Sequence, residues 1–449
     1  MLDRLRLPHP LVLLTGCVLI AAAASYVLPA GEYDRAVDEA TGREVVVAGT
    51  YHEVEPAPVG FFAAFVALPR GMAAAADVVF LVFLIGGAFT VVDETGALVR
   101  AVGSLSRLLH GRDLLVIPVV SLFFAAGGAL ENMQEEIIAL VPVLLILTLR
   151  MGFAPMVAVA MSAGPAFVAS SFSPINPFQV QIAQKVADVQ LSSGAAFRTT
   201  FLFIALVLWI GGTMRYAAAT RTAPAAPPEG EEGAVLGAMD RAILVTVALT
   251  FVVLVWGLLS RGWGFDELSA LFFIMGIVVG AMAGMGIGGT AEAYVKGFRS
   301  MAYAALLIGF ARAISVVLED GRVIDTLVHA LVTPLERLPV AVSALGMVVA
   351  QTAIHIPVPS VSGQAVLTMP ILAPLSDLLG MSRQITVLAY QYGAGLCDLV
   401  TPTNGALMAI LASAGVRFEE WIRFTLPLYL GLLALGAASI LIGLAIGLT

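Results

Sequence analysis

Apolar runs of membrane-crossing character recur from one end of this 449-residue chain to the other, and nothing else in the sequence limits the fold so strongly. They lie at 11–28, 78–98, 153–184, 201–214, 242–259, 268–286, 303–318, 385–411 and 426–448. Charged residues make up 12% of the chain, about half the share in a soluble domain, and the mean hydropathy of +0.97 agrees. Such a chain belongs in lipid and leaves no stretch for a separate soluble catalytic domain. The first run stands behind basic residues and imitates a secretory leader, but its length, and the equal apolarity of the later runs, make it a first membrane helix.

Two further apolar stretches, 114–149 and 338–379, are interrupted by polar residues, glycine and proline. Each is followed by a basic residue on what must be its starting side, so both read as re-entrant hairpins. The expected fold is an all-α polytopic membrane protein with nine transmembrane helices plus two hairpins. A Pro/Gly/Ala/Glu-rich segment divides it. This predicts a first repeat over 1–217 (hairpin 114–149, broken helix 153–184), a cytoplasmic linker over 218–240 and a connecting helix over 241–260. A second repeat follows over 261–449 (hairpin 338–379, broken helix 385–411). With the N-terminus inside, Lys and Arg fall 13 to 9 in favour of the inner loops, including Arg4, Arg6, Arg107 and Arg112 inside and Arg198 outside. That is the orientation of a multi-pass protein of the cytoplasmic (inner) membrane.

The halves carry the same uncommon residues at a constant spacing. Pro142 and Pro370, Gly152 and Gly380, Pro174 and Pro402, and Asn176 and Asn404 are each 228 residues apart, which lays SPINPF (173–178) under TPTNGA (401–406). VVDETG (91–96) matches VVLEDG (316–321) at a spacing of 225. Five crossings separate each element from its copy, so the second copy is expected upside down, the inverted-repeat plan of secondary transporters.

An irregular stretch at membrane depth survives only where protein or a watery cavity satisfies its backbone. SSFSPINPF and CDLVTPTNG are such stretches. Their prolines remove helix hydrogen bonds, and Ser170, Ser173, Asn176, Thr401, Thr403 and Asn404 supply replacements. Freed N–H groups and positive dipole ends suit a carboxylate, and freed carbonyls and hydroxyls suit Na⁺. The hairpin tips carry GGALENMQEE (127–136) and HIPVPSVSGQ (355–364), which pair Gln134 with Ser362 and Glu136 with Gln364. Glu131, Glu135 and Glu136 would each cost about 2.5–3.5 kcal/mol near the bilayer centre, so together they call for a cation, a proton or water. Asp398 is a fourth such carboxylate. The competing readings are interhelical glue for the Ser/Thr/Asn cluster and a plain loop position for the glutamates. His355 reads as a satisfied polar residue, with a proton relay as the competing reading. Arg312 is expected to pair with Asp398 or a hairpin glutamate, or to meet a substrate carboxylate. Stretches 61–75 and 291–302 read as interfacial arms. Cys17 and Cys397 read as buried free thiols.

EEIIALVPVLL, NPFQVQIAQ and the long stretch VSGQAVLTMPILAPLSDLLGMSRQITVLAYQYGAGLCDLVTPTNGALMAIL resemble, over nearly the whole chain, the YfcC-type branch of the DcuC/ArcD-like carriers in the ion transporter superfamily. At the first hairpin this chain has ENMQEE where that family more often shows an acidic pair after a Gly-Met step. The resemblance implies hairpins pointing inward and outward, a homodimer about a central scaffold, elevator-like alternating access, and amino-acid or carboxylate substrates. It also makes Glu131, Asn132, Glu135, Glu136, Ser362, Gly363 and Gln364, with Asn176, Thr401, Thr403 and Asn404, the substrate site, to which the residue reading adds Ser173 and Asp398. Ser170, Asn176, Asp398 and Asn404 are the positions for a coupling Na⁺ or H⁺. No cofactor beyond that ion is expected. The expected partners are a small organic substrate, the bilayer and a second copy, with no nucleic acid.

The carboxylates favour a basic or zwitterionic amino acid, with its carboxylate on the N–H groups of 362–364. A C4-dicarboxylate carrier and a cation antiporter without organic substrate are the alternatives. The chain has no HExxH, Gly-x-Gly-Asp pair or nucleophile elbow, so no enzyme is expected.

Overall fold

The computed structural model describes residues 9–39, 42–98, 100–101, 104, 113–222 and 236–448. Arg4, Arg6, Arg107, Arg112 and linker positions 223–235 lie outside the described residues. The rest is mostly helical. Among the described residues eight helices are long and apolar enough to cross a membrane. Seven coincide with runs expected from the sequence, and the eighth, Asp113–Glu131, contains the first arm of the first hairpin. The run at 242–259 lies in a 24-residue helix, Ala238–Arg261, but is not among the eight. The run at 385–411 is interrupted and is not one span.

Two bundles share the molecule. One is built from α1 (Pro10–Val27), α2 (Phe61–Ala74) and α3 (Ala76–Glu94) against later helices of the chain. The other begins with the first hairpin, α4 (Val116–Glu131) and α5 (Glu135–Arg150), and α6 (Pro155–Phe172). After a five-residue α7 (Ile182–Val186), α8 (Ala195–Ala219) packs on α6. The chain then returns to the first bundle through α9 (Ala238–Arg261), α10 (Phe265–Met282) and the 35-residue α11 (Gly286–Asp320). The expected separate arm at 291–302 is therefore part of a continuous helix, since no proline interrupts 286–320. A short α12 (Ile324–Val332) leads to the second hairpin, α13 (Val340–His355) and α14 (Val361–Leu378). Helices α15 (Arg383–Tyr390), α16 (Gly405–Ser413) and α17 (Phe418–Ile446) complete the second bundle.

Burial explains the division. Every residue of α6 from Met156 to Phe172 is buried, and burial is equally unbroken from Gln384 to Gly395, so the interrupted helices form the core of the second bundle. The outward faces of α8 and α9 instead present Phe203, Val207, Val245, Leu249 and Val252, the apolar exposure that lipid accepts and water does not. The bundles meet where α11 packs on α16 and α3 on α5.

Small residues set the closest approaches. A Cβ on Gly297 of α11 would lie 2.6 Å from the Cα of Gly87 in α3, and one on Gly128 of α4 would lie 2.1 Å from the carbonyl oxygen of Ala166 in α6. Both obstacles are backbone, so neither can swing aside. Gly128→Ala is accordingly expected to cost about 2 kcal/mol and to lower the thermal midpoint of the purified protein by about 2 °C, read from intrinsic fluorescence on heating.

One feature departs from a purely helical plan. Between α1 and α2, β1 (Gly31–Glu32) pairs antiparallel with β4 (His52–Glu53), and β2 (Arg35–Asp38) with β3 (Arg43–Val46). This small flap is tied to α12: Arg35 donates to both oxygens of Asp325 at 3.0 Å, and Tyr51 stacks on His329 with ring centroids 4.1 Å apart. Its β3 strand rests on α14 of the second hairpin. Near the linker, Arg100 grips both oxygens of Asp240, at 2.6 and 2.9 Å, and so ties the chain after α3 to the start of α9.

Candidate functional site

The 228-residue correspondence extends from residue types to geometry. Gly152 and Gly380 both take a positive φ, +74° and +67°, and each closes the second arm of its hairpin. Pro142 and Pro370 both lie inside those arms. At the interruptions, the Asn176 side chain accepts from the backbone N–H of Phe178 and Gln179, while Asn404 accepts from Leu407 N–H. Each asparagine thus starts the helical segment after its break. The carbonyls of Gly128 and Ile356, again 228 apart, both receive a side-chain donor from a break: Asn176 Nδ2 at 2.9 Å in the first case, the Thr403 hydroxyl in the second.

Both interruptions are real. Helix α6 stops at Phe172, residues 173–176 turn, and a wider π-type segment, Pro177–Gln181, leads into α7. The second break comes after α15 and a π-type segment Gln391–Gly395, and ends where Asn404 opens α16.

The hairpin tips face a cavity of about 430 Å³. From the first hairpin it is lined by Glu131, Asn132, Gln134, Glu135 and Glu136, and from the second by Pro359, Ser360, Val361 and Ser362. Asp398 of the second break, Arg43 of the flap, Phe178 and Trp263 complete much of the wall. Asn132 adopts the left-handed conformation, with φ +57°, that lets the chain reverse in three residues between α4 and α5. Its side-chain oxygen is buried without a partner. On the opposite side Ser360 caps α14, its hydroxyl accepting from Gly363 N–H at 3.2 Å, which leaves the first N–H groups of that helix directed out of its end. Carboxylates therefore stand on one wall and a helix N-terminus on the other.

Asp398 joins the parts. Gln134 Nε2 donates to its Oδ2 at 3.2 Å, Asn404 Nδ2 to its Oδ1 at 2.6 Å, and His355 Nε2 lies 2.8 Å from the same Oδ1. Asn404 also reaches Gln134 Oε1 at 3.2 Å. The first hairpin, the second hairpin and the second break thus meet on one carboxyl whose side chain is 4% exposed.

Of the residues singled out from sequence, Glu131, Asn132, Glu135, Glu136, Ser362 and Asp398 line the cavity, and Asn404 stands behind it. The others lie elsewhere. Ser173 and Asn176 bind the first hairpin through Ala129 O and Gly128 O, and Ser170 donates to Phe167 O within its own helix. Thr401 and Thr403 bond each other at 2.7 Å, with Thr403 turned to Ile356 O. Gln364 is fully buried behind the tip, and Gly363 lines a second cavity of about 490 Å³. Arg312 faces that second cavity too, 3.7 Å from Glu319, and meets neither Asp398 nor a hairpin glutamate. The two residues lie seven apart, close to two full turns, and so share a face of α11.

Arg198, assigned from sequence to an outer loop, is fully buried in α8. It donates to Gln391 Oε1 at 2.7 Å, Gln384 Oε1 at 2.7 Å and Ser193 O at 2.8 Å. Gln391 in turn donates to Ser173 O and accepts, on its backbone carbonyl, from Gln179 Nε2, so Arg198 secures one break against the other. Sequence reasoning also missed Gln134, although its 228-residue pairing with Ser362 was a usable signal, and Gln351, for which there was none. Cys17 and Cys397 are free thiols, Cys397 buried and Cys17 partly so.

Residues 7–445 match the family model of the C4-dicarboxylate anaerobic carrier, DcuC. The chain belongs to this family. It is a multi-pass membrane transporter. It is 30% identical, over 98% of its length and 96% of that protein, to the Escherichia coli K12 protein named "Putative basic amino acid antiporter YfcC". An uncharacterized Haemophilus influenzae protein is 28% identical over 89% of this chain and 82% of its own. Among solved structures, the Alcanivorax borkumensis YdaH transporter aligns over 98% of this chain and 99% of its own at 19% identity and a TM-score of 0.44. Neisseria gonorrhoeae MtrF aligns over 97% and 94%, at 16% identity and a TM-score of 0.42.

Proposed function

We propose that this family member is an ion-coupled or exchange carrier for a small amino acid, basic or zwitterionic, in the cytoplasmic membrane. The observation that carries this reading is the cavity whose one wall holds Glu131, Glu135, Glu136 and Asp398 and whose other wall is the N-terminal end of α14. An ammonium or guanidinium group pairs with the first wall, and the α-carboxylate sits on the second. The volume of about 430 Å³ falls in the range of small-molecule sites and exceeds what a bare cation needs. The name of the Escherichia coli relative supports the same substrate class.

A C4-dicarboxylate is the second reading, favoured by the family's description and by Arg43 on the cavity wall. Four carboxylates around a dianion weigh against it. Transport in this proposal follows an elevator-like course, with the hairpin bundle moving against the bundle of α1–α3 and α9–α11 in a homodimer whose N-termini lie inside. The interleaved packing of the two repeats into these bundles supports that division.

The test is counterflow in proteoliposomes loaded with L-arginine, L-ornithine, L-leucine, succinate or fumarate. Arginine or ornithine is expected to exchange, and Glu135→Ala to reduce the rate at least tenfold, as expected for loss of about 1.4 kcal/mol or more of charge pairing. Exchange of succinate or fumarate with no amino-acid exchange would reverse the substrate assignment.

A further inference from the structure

The hydrogen bonds around His355 fix where one of its ring hydrogens sits. Thr368 spends its hydroxyl hydrogen on Gln364 O at 2.8 Å, so it accepts from Gln351 Nε2, also at 2.8 Å. Gln351 therefore presents Oε1 to Gln364, whose Nε2 donates there and to Gln351 O at 2.7 Å. This fixes the Gln364 amide with Oε1 toward His355 Nδ1, 2.8 Å away. An amide oxygen only accepts, so these partners assign a hydrogen to Nδ1.

The other side is equally determined. Asn404 Oδ1 accepts from Leu407 N–H, which turns Nδ2 toward Asp398 Oδ1 and Gln134 Oε1 and leaves Gln134 Nε2 to donate to Asp398 Oδ2. Every amide facing Asp398 is thus a donor, an arrangement for a carboxyl group and not for a metal cation. His355 Nε2 and Asp398 Oδ1 remain, 2.8 Å apart. If Nδ1 held the ring's one hydrogen and Asp398 were ionised, a lone pair would face a lone pair at that distance between side chains only 0% and 4% exposed. One more proton must lie between them, giving either imidazolium with carboxylate or neutral imidazole with carboxylic acid.

We infer that the His355–Asp398 pair holds one proton in this conformation and gives it up when a substrate cation enters the cavity. This coupling rests on the substrate reading above; the presence of the proton does not. Asp398 lines the cavity, so an arriving ammonium or guanidinium adds positive charge beside the pair and competes for the same carboxylate. Proton and substrate then lower each other's affinity by the same factor, and a carrier with that property exchanges one for the other. The charged or titratable groups lining the same cavity as Asp398 are Glu131, Glu135 and Glu136 from the first hairpin and Arg43 from the flap, and Tyr390 and Cys397 of the second broken helix lie near it. Those turned to the pair from the second hairpin, Gln351, Gln364 and Thr368, are uncharged.

The proton is tested without substrate, on full-length protein in nanodiscs. Nitrogen NMR of ¹⁵N-histidine protein, assigned by His355→Gln, and the infrared carbonyl band of a protonated carboxyl, assigned by Asp398→Asn, are followed against pH. A doubly protonated His355 ring or a protonated Asp398 at neutral pH, lost in one step on raising pH, is the expected result. A neutral ring beside an ionised Asp398 at neutral pH overturns it, and the wild-type spectra decide this even if a variant fails to fold. The exchange is tested by titrating L-arginine calorimetrically in phosphate and in Tris, whose different ionisation heats report released protons. About one proton per bound arginine is expected at neutral pH and none in His355→Gln. Arginine binding without release overturns the coupling and leaves the substrate reading standing. Absence of arginine binding overturns both, while the spectra still decide whether the proton is there.

Discussion

Asp398→Asn is expected to reduce arginine counterflow by about a hundredfold or more. In the native site Oδ2 accepts from Gln134 and Oδ1 from Asn404 and His355, so every neighbour points a donor or a shared proton at this side chain. An asparagine must place its own NH₂ against one of them. Facing Gln134, it meets another donor, and Gln134 cannot turn over because its oxygen already accepts from Asn404. A buried donor left unpaired costs roughly 1–3 kcal/mol, and the lost charge on the cavity wall adds a comparable amount for a cationic substrate. About 3 kcal/mol corresponds to that hundredfold change. Counterflow at saturating arginine, with protein amount checked after reconstitution, measures it. A variant within threefold of wild type would remove Asp398 from the site.

Arg198→Met should give the largest loss of stability, with a thermal midpoint lower by about 4 °C or a failure to purify as a single species. Methionine fills similar space and removes an isolated buried charge, which by itself favours the variant. Against that, three carbonyl oxygens, on Gln384, Gln391 and Ser193, lose charge-assisted donors at 2.7–2.8 Å, each worth about 1.5–3 kcal/mol. The second effect is larger, by about 4 kcal/mol, which spread over the unfolding entropy of so long a chain gives the stated shift. Arg198→Lys separates the causes: it keeps the charge but cannot reach three acceptors in one plane, and is expected to fall between wild type and Arg198→Met. Thermal unfolding followed by tryptophan fluorescence suits the comparison. Equal midpoints for all three proteins would show that Arg198 does not secure the two breaks.

The helices, their breaks and the repeat were legible because each has a local cause. Pro174, Pro177 and Pro402 lack the N–H that a helical hydrogen-bond ladder needs, and beside Ser, Thr and Asn they mark the breaks, with Asn176 and Asn404 natural starters for the helical segment after each. Gly152 and Gly380 mark reversals because only a residue without a side chain adopts their positive φ freely. The flap was less legible, since two- to four-residue strands carry too little alternation to stand out.

Partnership was where local reasoning stopped. From the sequence, Arg198 lay between apolar runs and was given to a loop, while Arg312 lay inside one and was given to an ion pair with Asp398 or a hairpin glutamate, or to the substrate; the fold buries the first among amides and turns the second to Glu319 on a half-exposed face. His355 and Asp398 lie 43 residues apart, and Gln134 is 264 residues from Asp398, so no local pattern joins them. The sequence by itself determined that this chain is a bundle of membrane helices twice interrupted at matching positions, because hydrophobic length and missing backbone donors act within a few residues. Only the tertiary structure decided which carboxyl collects both hairpins and a histidine, because burial and hydrogen-bond satisfaction depend on what the rest of the chain places within about 3 Å.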